Sequence, residues 1–261
     1  MDWAHGLSGL LVGVLVGLTG VGGGSLMAPI LILLLGVAPA TAVGTDLWFA
    51  AITKTVGGGI HHSLGQPDWR VVKLLALGSL PASIITSLIL SNIIVLEPFK
   101  SGLIVNALGI LLLLTALATF FQSRIQRFAL SFDAKVAARY EARQPAMTIL
   151  AGVVLGILVT LTSIGAGALG AAMLMALYPI RMTAKRLVGT DIVHAVPLTV
   201  VAGTGHLIMG NVNIGLLGSL LIGSIPGIII GSLIATRFSS GLIRPVLAVV
   251  LALSGIKMLY S

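Results

Sequence analysis

Two glycine-rich stretches dominate a chain otherwise poor in reactive side chains: Gly20-Val21-Gly22-Gly23-Gly24-Ser25, and its counterpart Gly165-Ala166-Gly167-Ala168. Each stands just before a short apolar run, so each reads as a tip from which a helix starts. The first N–H groups of a helix have no intrahelical partner, and its N-terminus carries about half a positive charge. Two such tips converging in an apolar interior would hold an anion without requiring a buried cationic side chain. Gly22, Gly23, Gly24 and Ser25, with Gly165, Ala166, Gly167 and Ala168, are therefore the first candidate substrate contacts. Close packing of small residues between helices is the competing explanation. The coincidence of the glycines with breaks in both halves favours the site.

Few side chains could add to it. Lys54 lies inside an apolar run, where a charge costs about 2.5–3.5 kcal/mol on insertion scales and so should avoid lipid. His61 follows seven residues later, near the same helical face, and His206 holds the matching place in the second half. All three are candidate substrate contacts. Pairing of Lys54 with a carbonyl or with Asp46, and an interfacial place for His61 and His62, remain alternatives. Thr45 and Thr190 offer hydroxyls to the same cavity or bond their own helices. Asp46 and Asp191 follow Gly-Thr in equivalent positions, where each is expected to cap a helix start. The other chemistry open to them is proton coupling, in which His194, three residues after Asp191, would share.

The elements that must position these groups are membrane spans. Of 261 residues 57% are hydrophobic and only 8% charged, against about a quarter charged in soluble domains. Mean hydropathy is +1.13. Ten apolar stretches can be marked, near 6–19, 25–36, 40–61, 71–94, 99–121, 146–161, 168–179, 187–208, 214–236 and 241–259. They form two sets of five. Leu18-Thr19-Gly20 recurs as Leu161-Thr162-Ser163, Val43-Gly44-Thr45-Asp46 as Val188-Gly189-Thr190-Asp191, and Gly78-Ser79-Leu80-Pro81 as Gly223-Ser224-Ile225-Pro226. The offset is first 143, then 145. The first two segments of each half are too short to span comfortably, at 1.5 Å per residue against a core of about 30 Å. A pair meeting at a glycine tip reads as a re-entrant hairpin or broken helix.

The expected fold is thus an all-α polytopic membrane protein of two inverted-topology repeats, each a short re-entrant or broken helix pair plus three full transmembrane helices. Residues 1–122 form the first repeat, 123–145 a basic cytoplasmic linker and 146–261 the second repeat. Charge supports the inversion. If Arg124, Arg127, Lys135, Arg139 and Arg143 are cytoplasmic, so are Arg70, Lys73, Arg181, Lys185, Arg186, Arg237 and Arg244. Both termini then face outward. Met1–Thr19 lacks a basic leader and is expected to be retained.

Pro81 and Pro226 remove an N–H from the fourth span of each half and serve as hinges or only as shape. Arg181, Lys185 and Arg186 act as an anion funnel or, more simply, as a topology signal. The stretch 123–144 has the composition of an amphipathic helix on the leaflet. Trp3, Trp48, Trp69 and Tyr260 read as interfacial anchors. The absence of cysteine excludes disulfides and thiolate chemistry. No acid–base or metal constellation points to an enzyme, and no phosphate-binding loop points to ATP. No cofactor or metal is expected. The basic residues cluster between apolar runs and do not suit nucleic acid.

The Gly-Xaa-Gly-Gly-Gly turn with Pro29 a few residues on, the Gly-Thr-Asp step and the Gly-Pro element of the fourth span resemble the sulfite exporter TauE/SafE family. The resemblance covers nearly the whole chain. It implies a secondary transporter in a bacterial inner membrane, exporting sulfite or a related sulfur-containing anion such as a sulfonate. The second copy departs in Ala166 and Ala168, and has no equivalent of Pro29. An anion channel, or a carrier of another small oxyanion, is the alternative. Expected partners are the lipid bilayer and the small anion, with a homo-oligomer left open.

Overall fold

The computed structural model describes residues 3–19, 24–61, 67–92, 97–130, 134–235 and 240–260. Among these residues there is no strand; the chain forms ten helices. In order they are α1 (Trp3–Thr19), α2 (Gly24–Leu33), α3 (Pro39–His61), α4 (Trp69–Asn92), α5 (Glu97–Leu130), α6 (Ala134–Thr162), α7 (Ala168–Leu177), α8 (Ala184–Ile208), α9 (Ile214–Ala235) and α10 (Ser240–Leu259). Five stretches are long and apolar enough to cross a bilayer: Trp69–Asn92, Val105–Gln122, Tyr140–Thr162, Arg186–Ile208 and Ile214–Gly231.

The short helices are delimited by their own residues. α2 and α7 have ten residues each, a reach of about 15 Å. α2 ends where Gly36 takes the left-handed conformation, φ 63°, and the Val37 N–H turns back to the Leu31 carbonyl, a common helix stop. α7 begins after Gly167, φ 147°, and stops before Pro179, whose ring cannot continue it. α4 and α9 have matching starts: Asp68 Oδ1 accepts from the Val71 N–H at 3.4 Å, and Asn213 Oδ1 from the Leu216 N–H at 2.9 Å. Both are side-chain caps.

Three sequence expectations are corrected. The segment near 146–161 belongs to the 29-residue α6, in which Tyr140–Thr162 is long and apolar enough to cross a bilayer by itself; the Ala, Arg, Lys and Glu residues before it favour helix and extend it. Residues 123–130 continue α5 and 134–145 open α6, so among the described residues no separate helix occupies the basic stretch. Asp46 and Asp191 do not cap their own helices, because α3 already starts at Pro39 and α8 at Ala184, with Thr183 as cap. Each aspartate lies about two turns inside.

Glycine rows set the packing. On α1, a Cβ at Gly9 or Gly13 would collide with the carbonyls of Leu220 and Ser224 on α9. On α6, Gly152 and Gly156 meet Leu75 and Ser79 of α4 in the same way. Conversely Gly223 meets Gly6 and Leu10, while Gly78 meets Ile149 and Val153. Every one of these pairs recurs in the other half at the sequence offsets of 143 and 145. Small residues at four-residue spacing let helix backbones approach within a membrane. The first helix of each half thereby packs on the fourth helix of the other. Leu77, Ile84, Leu88, Ile222, Ile229 and Leu233 point outward, as lipid-facing side chains should. Pro81 and Pro226 also lie on exposed faces of α4 and α9.

Candidate functional site

α3 and α8 pack against each other, one from each half, and bury three ionisable groups against the turn joining α6 to α7. That turn is shaped by left-handed residues: Ser163 at φ 58°, Gly165 at 122° and Gly167 at 147°. Such values suit glycine and are uncommon for serine. The turn directs the Ala166 carbonyl to Lys54, whose Nζ donates to it at 2.8 Å. The same Nζ lies 3.6 Å from Asp191 Oδ2. Lys54 is only 2% exposed and Asp191 4%, so neither charge is solvated by bulk water. Asp46, fully buried, faces the Ser163 hydroxyl and the backbone of Ala28 in α2. Among the described residues neither of its oxygens closes a regular hydrogen bond.

The carboxylates therefore address the short helices instead of their own. Asp191 Oδ1 lies so near Gly170, in the first turn of α7, that a Cβ added there would stand 2.9 Å from it. The Gly170 and Ala171 N–H groups return to the Gly165 and Gly167 carbonyls. Helix geometry leaves the N–H groups of Ala168 and Leu169 outside intrahelical bonding, beside this charged group. An ammonium, a helix N-terminus and two carboxylates thus share one buried place. It can hold a small anion, exchange a proton, or do both. Among the described residues no group of three His, Cys, Asp or Glu could hold a metal ion.

The remaining candidates divide. Gly165, Ala166, Gly167 and Ala168 form the turn and helix start just described. Gly22 and Gly23 lie outside the described residues; Gly24 and Ser25 open α2, and His61 closes α3. Thr190 Oγ1 donates to the Arg186 carbonyl at 2.7 Å and accepts from the Asp68 N–H at 2.9 Å. Thr45 Oγ1 accepts from the Asn213 N–H at 3.1 Å. Both hydroxyls thus tie helix starts together. His206 Nε2 is bonded to the Thr160 carbonyl at 2.9 Å, and His194 Nε2 to Ser79 Oγ at 2.8 Å. Trp48 is not an interfacial anchor: its indole packs on Gly203 of α8, and its Nε1 is buried. The space left by a residue without a side chain draws the ring inward. Trp3, Trp69 and Tyr260 are exposed.

Sequence reading did not single out Asp68, Asn213, Gly170 or Ser79. Asp68 and Asn213 could have been found from the repeat, since they align at the offset of 145. Asp68 is 3% exposed and is paired with Arg181 through both oxygens, with Nη2 3.0 Å from Oδ1. Arg186 Nη2 lies 3.7 Å from Oδ2.

Ten helices, apolar outside and carrying buried charge between two repeated halves, define a multi-pass membrane transporter. The chain belongs to the sulfite exporter TauE/SafE family, whose sequence model matches residues 6–258. It is 40% identical over 258 residues to the "Probable membrane transporter protein YjnA" of Bacillus subtilis, covering 97% of this chain and 98% of that one. A "Probable membrane transporter protein" of Methanocaldococcus jannaschii is 29% identical over 201 residues, 75% of this chain and 68% of the relative. One of Haemophilus influenzae is 38% identical over 77 residues, 27% and 29% of the two chains. No solved structure gives a significant match.

Proposed function

We propose that the protein is a secondary transporter of the cytoplasmic membrane that exports sulfite, or a related sulfur-containing anion such as a sulfonate, by alternating access. One observation carries the reading: the buried Lys54 ammonium of the first half meets the Ala166 carbonyl and the start of α7 from the second. An anion bound there touches both halves, so their relative movement can carry it. The bound anion takes the Lys54 ammonium and the N–H groups at Ala168. By the sequence repeat, Gly22, Gly23, Gly24 and Ser25 are the pseudo-equivalent candidate contacts. His61 and His206 lie toward opposite ends of the path, and Pro81 and Pro226 give α4 and α9 their freedom to flex.

The two halves are inverted repeats, with α2 and α7 re-entering from opposite sides. The reciprocal glycine contacts support this, as does the charge at two equivalent corners. Asp68 starts α4 close to Arg70, Lys73, Arg181 and Arg186, whereas no Lys or Arg occurs between positions 187 and 236, around Asn213. By the positive-inside rule the first corner is cytoplasmic and the second external. Both termini then face outward.

Reconstitution into liposomes with sulfite, methanesulfonate, sulfoacetate, sulfate and chloride tests the function. Saturable movement of sulfite or a sulfonate above empty vesicles is expected. Sulfite moving no faster than in empty vesicles while an unrelated solute does would overturn the substrate assignment. Flux that fails to saturate and follows voltage alone would identify a channel.

A further inference from the structure

The place where an anion would bind already holds one. Asp191 Oδ1 rests against the first turn of α7 at Gly170, and Oδ2 faces the Lys54 ammonium at 3.6 Å. Oδ2 takes no hydrogen bond among the described residues, so its partner is the ion pair alone. Asp191 thus uses the two attractions, cation and helix N-terminus, that an incoming oxyanion needs. The Lys54–Asp191 pair is already neutral. A further anion cannot enter without a compensating charge, since unpaired buried charges are strongly disfavoured.

Resting on the transport reading above, we propose that Asp191 is a tethered stand-in for the substrate, and that it takes up a proton as the anion loads. The carboxylate with its ammonium partner, plus one proton and one anion, becomes a neutral carboxyl group beside an ammonium–anion pair. Release reverses the step, and no covalent bond changes apart from the O–H of the acid. One proton travels with each monovalent anion, electroneutrally, in the direction set by the two gradients together. In the empty carrier the Lys54–Asp191 pair neutralises the buried cation, which lets the carrier return unloaded.

Asp191 is the exchangeable site because, of the carboxylates here, it is the one ion-paired with Lys54 and set against the first turn of α7. α3 brings Lys54 and Asp46, and Asp46 is faced by the Ser163 hydroxyl. α8 brings His194, whose Nε2 is held by Ser79 of α4. The turn before α7 brings the Ala166 carbonyl, and α7 itself has no titratable side chain. Gly170 makes room: with any side chain there, Asp191 could not rest on the helix start.

Methanesulfonate stays a monoanion across the working pH range, so with sulfite beside it in liposomes it separates carrier protonation from substrate protonation. In the native protein the initial rate should fall about tenfold per unit of rising pH on the loading side along the alkaline limb, as single-proton loading requires. A pH dye should show one proton entering with each anion. Asp191→Asn should move anion at a rate flat within about twofold over the same range, without protons and under voltage control. Difference infrared spectra of the native protein should show a new protonated-carboxyl band when methanesulfonate or sulfite is added at fixed pH. This readout needs no variant to fold. Anion flux without protons, coupling that survives in Asp191→Asn but is lost in Asp46→Asn, or a silent carboxyl region would each overturn the proposal while leaving transport intact. Failure of every anion to move would overturn the transport reading, and this one with it.

Discussion

The starts of α4 and α9 share a backbone pattern but differ in charge. At both, an Asp or Asn side chain caps the helix, and the same residue's N–H donates to a threonine hydroxyl of the opposite half, Thr190 for Asp68 and Thr45 for Asn213. Around Asp68 the second half adds Arg181 and Arg186. Around Asn213 there is a neutral amide, and Arg186 itself aligns with Thr41. Bonds that build the fold are retained in both copies, whereas charge has been redistributed. The ion pairs therefore belong to what distinguishes the two corners, fastening the one at Asp68 more firmly than the one at Asn213.

Thermal unfolding in detergent can break this comparison at several levels. Gly78→Val and Gly223→Val should have the largest effect, about 3 kcal/mol or more each, because each added side chain meets helix backbone that cannot yield. A tolerated change at one of the two would mean that the interfaces are not equivalent. Arg181→Ala should cost about 2 kcal/mol, discounted because its side chain is 41% exposed, since it strips the buried Asp68 carboxylate of its main partner. No such loss has a counterpart around Asn213. Thr190→Val and Thr45→Val should each cost about 1 kcal/mol through the shared bond to the helix start, the two agreeing closely. Asp68→Asn, which makes the first corner resemble the second, should cost less than about 1 kcal/mol while speeding transport, because the cap persists and the arginines left behind are partly exposed. Unchanged transport in that variant would remove the fastening role.

Much of this architecture is local enough to be read from sequence. Glycine tips, short helices and the duplicated Gly-Thr-Asp and Gly-Ser steps are strings of neighbouring residues, and they mark the breaks at Gly24 and Gly167. The pairing of Lys54 with Asp191 is not local: the residues come from different halves, and only the docking of α3 on α8 brings them together. Asp46 and Asp191 looked like helix caps because Gly-Thr precedes them, yet Pro39 and Thr183 start the helices earlier. The polar residues before position 146 concealed the true length of α6. The glycine rows of α1, α6 and α9 are visible as four-residue spacings, but their partners depend on how the halves interlock. Trp48 shows the same limit, since its burial depends on Gly203, far along the chain.

The opposite placement of the two corners is open to direct measurement, because the chain has no cysteine of its own. Arg70 and Gly215 are equivalent exposed positions just inside α4 and α9. In intact cells, an impermeant maleimide should label Gly215→Cys from outside and reach Arg70→Cys only after the membrane is permeabilised. Labelling of both from the same side would contradict inverted halves, and with them transport by exchange between two mirrored mouths.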